Sequence, residues 1–152
     1  MANRPDPEDD LKVVQALEDY QRKSLEVLLR SAGDPEAAVK GLIDLHIDWT
    51  AGDPELARLV SAGRNRAMSG PLGPRLRESN VKWMDELREW LERERKSGEV
   101  TIGSLAILHA VVFAPTQEIA KLWLAGLLPR DLEDYRLPLA RAAWAGLRAA
   151  DS

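Results

Sequence analysis

Apolar residues recur every three or four positions over most of the chain, which is the spacing of amphipathic helices. Three Asp-Pro-Glu triplets, beginning at Asp6, Asp34 and Asp53, indicate where helices start. In each triplet Asp can cap the helix, Pro suits the first helical position, and Glu interacts favourably with the positive end of the helix dipole. Alternating β-branched runs, the pattern of strands, are absent from the sequence. The chain is therefore predicted to be all-α.

The pattern divides the chain into six helices within one domain, residues 7–152, preceded by a disordered tail, residues 1–6. Two Gly-Pro steps separate the third helix from the fourth. Gly98 is expected to end the fourth helix, because this position favours a left-handed residue. The predicted helices are residues 7–31, 35–51, 54–66, 75–96 and 101–128, with a sixth that follows Asp131 and reaches about residue 149.

The last two predicted helices are apolar on more than one face. A helix at the edge of a monomeric domain needs only one apolar stripe, so the surplus requires a second chain to cover it. We therefore predict a homodimer in which helices five and six form a four-helix bundle, with helix five kinked at Pro115 and small residues at Gly103, Ala106 and Ala110 that allow close approach. The predicted interface residues are Phe113, Trp123, Leu124, Leu127, Leu137, Trp144 and Leu147.

Charge and composition exclude several classes of function. The formal net charge is -4, and Lys and Arg are interspersed with Asp and Glu, so the chain lacks the basic surface that phosphate backbones require. Cysteine is absent, which rules out disulfides and thiolate metal sites. The N-terminal residues lack the apolar stretch of a secretory signal, and the uncharged segment 100–117 is too short and too polar to span a membrane. We expect a cytoplasmic protein.

The sequence shows no arrangement typical of an enzyme. The two histidines, His46 and His109, lie outside metal-binding spacings such as Glu-x-x-His. Asp44 and Asp48 are one helical turn apart, but His46 between them points to a different face. Gly-rich phosphate loops and nucleophile elbows are also absent. We expect neither catalysis nor a cofactor or metal.

Polar residues on the apolar faces have two interpretations, a structural hydrogen bond or a ligand contact. For His46 the position favours a core histidine, and for Asn80 the two interpretations are equally good. Thr116, placed with His109 on the inner face of helix five, is expected to bind a carbonyl left free by Pro115. Large side chains at helical spacing on the fourth helix are more typical of a core than of a pocket wall. The predicted ligand contacts are His46, Asn80, Trp83, Met84, His109 and Thr116.

Three segments together resemble the C-terminal ligand-binding and dimerisation domain of TetR-type transcriptional regulators. They are "LHIDWTAGDPELARLV" (45–60), "LRESNVKWMDELREWLERERKSGEV" (76–100) and "VVFAPTQEIAKLWLAG" (111–126). In that family a helix with a proline in its middle and a Lys-x-Trp-Leu-x-Gly-like tail packs with the last helix in a four-helix dimer interface. Here the proline follows Ala114, and the tail consists of Lys121, Trp123, Leu124 and Gly126. The resemblance extends from about Asp9 onward.

The resemblance also implies a function. Residues 7–20 look like the helix that connects to a DNA-reading helix-turn-helix domain, which is missing here through truncation, a late start codon or natural loss. The family's pocket is an imperfectly filled core among the first, second, fourth and fifth helices. We therefore expect a sensor of a small apolar or aromatic effector that favours one arrangement of the first helix. The alternatives are a free-standing helical interaction protein that dimerises without a small-molecule ligand and a small helical enzyme.

Overall fold

The computed structural model describes residues 6–149, and over this range it is helical without a strand, which confirms the predicted fold class. Except for Asp6, the predicted N-terminal tail lies outside the described residues. The α-helices of the described range are α1 (Pro7–Arg30), α2 (Pro35–Gly52), α3 (Pro54–Ser69), α4 (Gly73–Lys96), α5 (Leu105–Leu108), α6 (Ala114–Leu124) and α7 (Arg136–Ala149). A π-helical turn (His109–Phe113) joins α5 to α6, and a 3₁₀ turn (Leu132–Tyr135) precedes α7.

The predicted helix boundaries at the three Asp-Pro-Glu triplets are confirmed. In each triplet the Asp carboxylate accepts a hydrogen bond from a backbone N–H two or three residues later, at 2.9 to 3.1 Å. Pro occupies the first turn in all three helices, where its missing N–H leaves no bond unmade. Gly98 follows the end of α4 with φ of 85°, as its predicted left-handed role requires.

The predicted helix five is a bent helix formed by α5, the π turn and α6 without interruption. It begins at Leu105 and not at Thr101, because Ser104 caps it. Pro115 has no N–H to donate to the preceding turn, and the chain adapts just before it. There the N–H of Ala114 donates to the carbonyl of His109, five residues earlier. A π turn holds an extra residue, so side chains after it are rotated relative to a regular helix.

Two hydrophobic clusters hold the helices together. The small core joins α1, α3 and α4 and consists of Val13, Val14, Ala67 and Leu76. The large core joins α2, α4, the bent helix and α7 with the C-terminal half of α1. Its largest fully buried side chains are Ile43, Ile47, Trp90, Leu91, Ile102, Leu108, Leu132 and Leu147.

A cluster of ionic contacts attaches the start of α7 to α2. The Arg136 guanidinium donates to the carboxylates of Asp44 at 2.8 Å, Asp48 at 2.6 Å and Glu133 at 2.7 Å. Asp44 and Asp48 lie one turn apart on α2, so both reach the planar guanidinium together. The pair of aspartates noted in the sequence is therefore accounted for by a structural contact.

Candidate functional site

A narrow space lies inside the large core where α1, α2 and the bent helix meet. It contains about 170 Å³ not occupied by atoms, and no part of it is wide enough for a water molecule. We name it the core site. Its lining residues are Tyr20, Leu42, Ile43, His46, Val112, Phe113 and Thr116.

The Thr116 side chain is 2% exposed, and its hydroxyl has no hydrogen-bond partner among the residues that the structure describes. The predicted bond from this hydroxyl to a carbonyl freed by Pro115 is absent, because the π turn accommodates the missing N–H instead. Leaving a buried hydroxyl unpaired costs about 1–3 kcal/mol. The core site therefore contains one unused hydrogen-bonding group.

Tyr20 and His46 form the polar side of the core site. His46 Nδ1 lies 2.9 Å from the Tyr20 hydroxyl oxygen, and the two rings meet edge to face. Burial lowers the pKa of His46 to about 4 and raises the pKa of Tyr20. Both groups are therefore neutral at pH 7. Sequence reasoning included His46 but missed Tyr20, although Tyr20 lies on the apolar stripe of the first helix.

Three predicted ligand contacts do not line the core site. Asn80 accepts a hydrogen bond from the Gln21 amide at 2.6 Å and so joins α4 to α1 elsewhere. Met84 is 39% exposed on α4. The His109 side chain is exposed, and its ring stacks on Phe113. The π turn that begins at His109 makes its side chain point in a different direction from that of Thr116. The prediction of His109 on the inner face is therefore wrong.

Trp83, the remaining predicted contact, lies between the core site and a second cavity. Its ring packs edge to face on Phe113, with ring centroids 5.5 Å apart. On its other side a groove of about 560 Å³ runs between α1 and α4, and we name it the outer groove. Leu25 and Leu29 contribute apolar surface to this groove beside Trp83, and the rest of its lining is mostly charged, with Glu18, Arg22, Glu26, Arg75, Glu78 and Lys82. The sequence pattern did not reveal the groove, because it exists only where two helices pack side by side.

Two predicted interface residues are buried in the chain's own core. Phe113 is 4% exposed and Leu147 is fully buried, so both pack inside the chain and offer almost no surface to a second copy. Both belong to the large core, where Phe113 lines the core site. The extra residue in the π turn explains why Phe113 is buried, since it changes which residues of the bent helix face inward.

The other predicted interface residues are accessible to different degrees. Leu127 is 69% exposed and Leu137 is 51% exposed. Trp123 and Leu124 near the end of α6 are partly buried. Trp144 is also partly buried and lines a groove between α2 and α7, with Leu137 beside it. Trp144 and Leu137 therefore lie on the side of α7 that faces the groove with α2.

The bent helix presents an uncharged face to solvent. Ala106, Ile107 and Ala110 are exposed on it, with Ile107 at 44%. Residues Leu105–Leu124 form a helix long and apolar enough to cross a membrane by length and composition, contrary to the expectation from residues 100–117. One such helix is weak evidence of a membrane span, because core helices of soluble proteins satisfy the same criterion. Only 28% of the apolar window is buried within the chain.

No family model matches the sequence, and comparison with curated proteins gives no match. Within residues 6–149, no group of three or more His, Cys, Asp or Glu side chains is placed to hold a metal ion. The resemblance to TetR-type regulators therefore rests on the sequence segments quoted above.

Proposed function

We propose that this chain is the effector-binding and dimerisation domain of a TetR-type transcriptional regulator that binds a small apolar or aromatic molecule at the core site. The observation that carries the proposal is the Thr116 hydroxyl, which is buried between helices without a partner in the described range. Native proteins pair nearly all buried polar groups, so an unpaired one points to a missing partner. A ligand with a hydrogen-bond acceptor would supply it.

The surroundings of Thr116 favour an uncharged ligand. His46 is neutral at pH 7, Tyr20 is protonated, and the other lining residues of the core site are apolar. A charged group placed there would lose its hydration without gaining a counter-charge. A neutral aromatic molecule that carries a carbonyl oxygen fits this chemistry.

Ligand binding would require the helices to move, because the core site is too narrow for a water molecule. Tyr20 belongs to α1, the helix that by resemblance connects to the DNA-reading domain. A ligand that fits only a wider site would shift the population toward an arrangement in which α1 is displaced. The size of the shift is set by the difference in the ligand's affinity for the two arrangements. In this proposal the protein is cytoplasmic, and it would contact DNA through a helix-turn-helix domain that is not part of this sequence.

The uncharged face of the bent helix supports dimerisation through a second copy. Exposed apolar patches of this kind mark interaction surfaces, and most soluble homo-oligomers are symmetric dimers. Ala106 and Ala110 are small and would let the same helix of a partner approach closely, while Ile107 adds apolar area.

Thermal unfolding with matched ligands tests the binding site. Benzophenone should raise the melting temperature, whereas benzoate, a charged aromatic acid, should not. Thr116→Val should weaken benzophenone binding by roughly tenfold, the value of one hydrogen bond, and Thr116→Ser should largely preserve it. Equal affinity of the Thr116→Val variant and the wild type, or no binding of neutral aromatic ketones, would contradict the proposal.

Light scattering tests the dimer. The wild type should give twice the chain mass of 16.9 kDa at micromolar concentration. Ala110→Glu should give a monomer, because it places a carboxylate in the apolar contact, and Ala62→Glu on the exposed face of α3 is the matched control. A monomeric wild type would refute the dimer. A dimer that binds no benzophenone would favour the free-standing interaction protein.

A further inference from the structure

The outer groove and the core site lie on opposite sides of one aromatic pair. Trp83 lines the groove, Phe113 lines the core site, and their rings meet edge to face at 5.5 Å. We propose that the two cavities are parts of one ligand site and that Trp83 is the movable wall between them. This inference rests on the proposed function, because it supplies the access route and the outer half of the same site.

Among residues 6–149, no hydrogen bond holds the Trp83 indole in place. Its Nε1–H is buried and has no partner within the part of the chain that the structure describes. The side chain is only partly buried and borders about 560 Å³ of groove, so it has room to turn outward. Rotation would break an edge-to-face contact but no polar bond.

The helices on either side of Trp83 are held together, which favours side-chain rotation over separation of α1 from α4. Gln21 on α1 is 7% exposed, and its amide donates to Asn80 of α4 at 2.6 Å. The Ser79 hydroxyl, also on α4, donates to the Gln21 amide oxygen. These hydrogen bonds hold the two helices together beside the groove. Movement of the Trp83 side chain breaks none of them, so it is the part of the wall that moves most easily.

The arrangement defines the chemical class of the ligand. Two buried groups lack described partners, the Trp83 indole N–H and the Thr116 hydroxyl. The Trp83 ring contacts Phe113, and Thr116 lines the core site together with Phe113. A neutral molecule with two aromatic rings and a central acceptor would place one ring in the core site and the other in the groove. Its oxygen would then accept a hydrogen bond from the Thr116 hydroxyl, while the Trp83 ring turns outward. Diaryl ketones have this form, and benzophenone is the simplest one.

Stopped-flow tryptophan fluorescence with benzophenone tests the movable wall, since four tryptophans remain when Trp83 is replaced. Trp83→Ala should raise both the association and the dissociation rate constants roughly fivefold, as expected for the loss of one aromatic contact that must break during binding. The dissociation constant should change less than either rate. Trp83→Leu, which keeps an apolar wall, is the second variant if Trp83→Ala fails to fold.

Trp49→Ala is the matched control. Trp49 also packs edge to face on an aromatic that lines the core site, Tyr20 at 5.6 Å, but it does not line the outer groove. A general loosening of the core would accelerate binding in both variants, whereas a movable wall would accelerate it only when Trp83 is replaced.

Photocrosslinking locates the ligand. Irradiated benzophenone should attach to peptides of α1 and α4 at the groove and to the bent helix. If binding depends on Thr116 but Trp83→Ala and Trp83→Leu leave both rate constants unchanged, or crosslinks never reach the groove, the inference is overturned while the proposed function stands. If benzophenone does not bind at all, both fail. 1,1-Diphenylethylene, which has the same shape without an acceptor, should bind more weakly than benzophenone.

Discussion

The small core and the large core differ in how their polar neighbours are paired. Beside the small core, Asp10 accepts a hydrogen bond from Arg66 at 3.0 Å, and Glu18 binds Arg75 at 2.6 Å. Asp10 is 8% exposed, while 40% of the Arg66 side chain is exposed, so solvent partly screens this pair. Each of these charged groups has found its partner within the chain.

The large core and the residues packed against it contain the three buried side-chain atoms that lack partners among the described residues. These are the indole nitrogens of Trp83 and Trp90 and the hydroxyl of Thr116. Such groups reduce stability, and proteins retain them where another requirement outweighs the loss. The comparison teaches that the end of the bundle around α3 is arranged for stability, while the opposite end keeps unused hydrogen-bonding capacity.

Replacing one fully buried aliphatic residue in each core should separate their roles. Leu76→Ala in the small core and Ile43→Ala in the large core should each lower the free energy of unfolding by about 3 kcal/mol, measured by urea denaturation. Only Ile43→Ala enlarges the core site, so it should bind benzophenone more tightly than the wild type does. If Leu76→Ala, and not Ile43→Ala, bound benzophenone more tightly, the ligand site would belong to the small core and not to the large core.

Acid should destabilise the large core through His46. Its pKa is about 4 when folded, below the usual value of 6.5, because burial disfavours the charged ring. The unfolded chain therefore binds a proton more readily, and the free energy of unfolding should fall as the pH falls from about 6.5 to 4. The expected loss is roughly 3 kcal/mol. His46→Gln should remove this component of the pH dependence. His109→Gln is the control, since that ring is exposed.

The smallest expected effect concerns the ion pair beside the small core. Arg66→Met should lower the free energy of unfolding by about 1 kcal/mol, because Asp10 would lose its partner while Arg66, at 40% side-chain exposure, already shares its charge with water. The loss should shrink in 1 M NaCl, where such pairs are screened. A loss above that of Leu76→Ala, or one independent of salt, would show that the pair is not a solvent-screened surface contact.

Local signals made the helices predictable. Each Asp-Pro-Glu triplet acts within one helical turn, through a cap, a preset φ angle and a charge next to the dipole. Gly98 likewise ends α4 because its left-handed conformation is a property of the residue itself. Features determined by a few consecutive residues can be derived from the sequence, and here they gave the fold class and the positions of the helix starts.

The candidate site was only partly predictable, because it depends on how the bent helix turns. In a regular helix His109 and Thr116, seven residues apart, share a face. The π turn inserts a residue between them, so Thr116 enters the core while His109 remains outside. The Tyr20 contact and the outer groove depend on the packing of α1 against its neighbours, which one sequence does not reveal.

The ionic cluster at Arg136 has a consequence for amide hydrogen exchange. One guanidinium bonds to α2 through Asp44 and Asp48 and to the 3₁₀ turn through Glu133, immediately before α7. Segments tied in this way open together, so the amides of α2 and α7 should exchange at matching slow rates as one cooperative unit. The first helix is tied instead to α3 and α4, through the Asp10–Arg66 and Glu18–Arg75 ion pairs, so its amides should exchange together with those helices and not with α7.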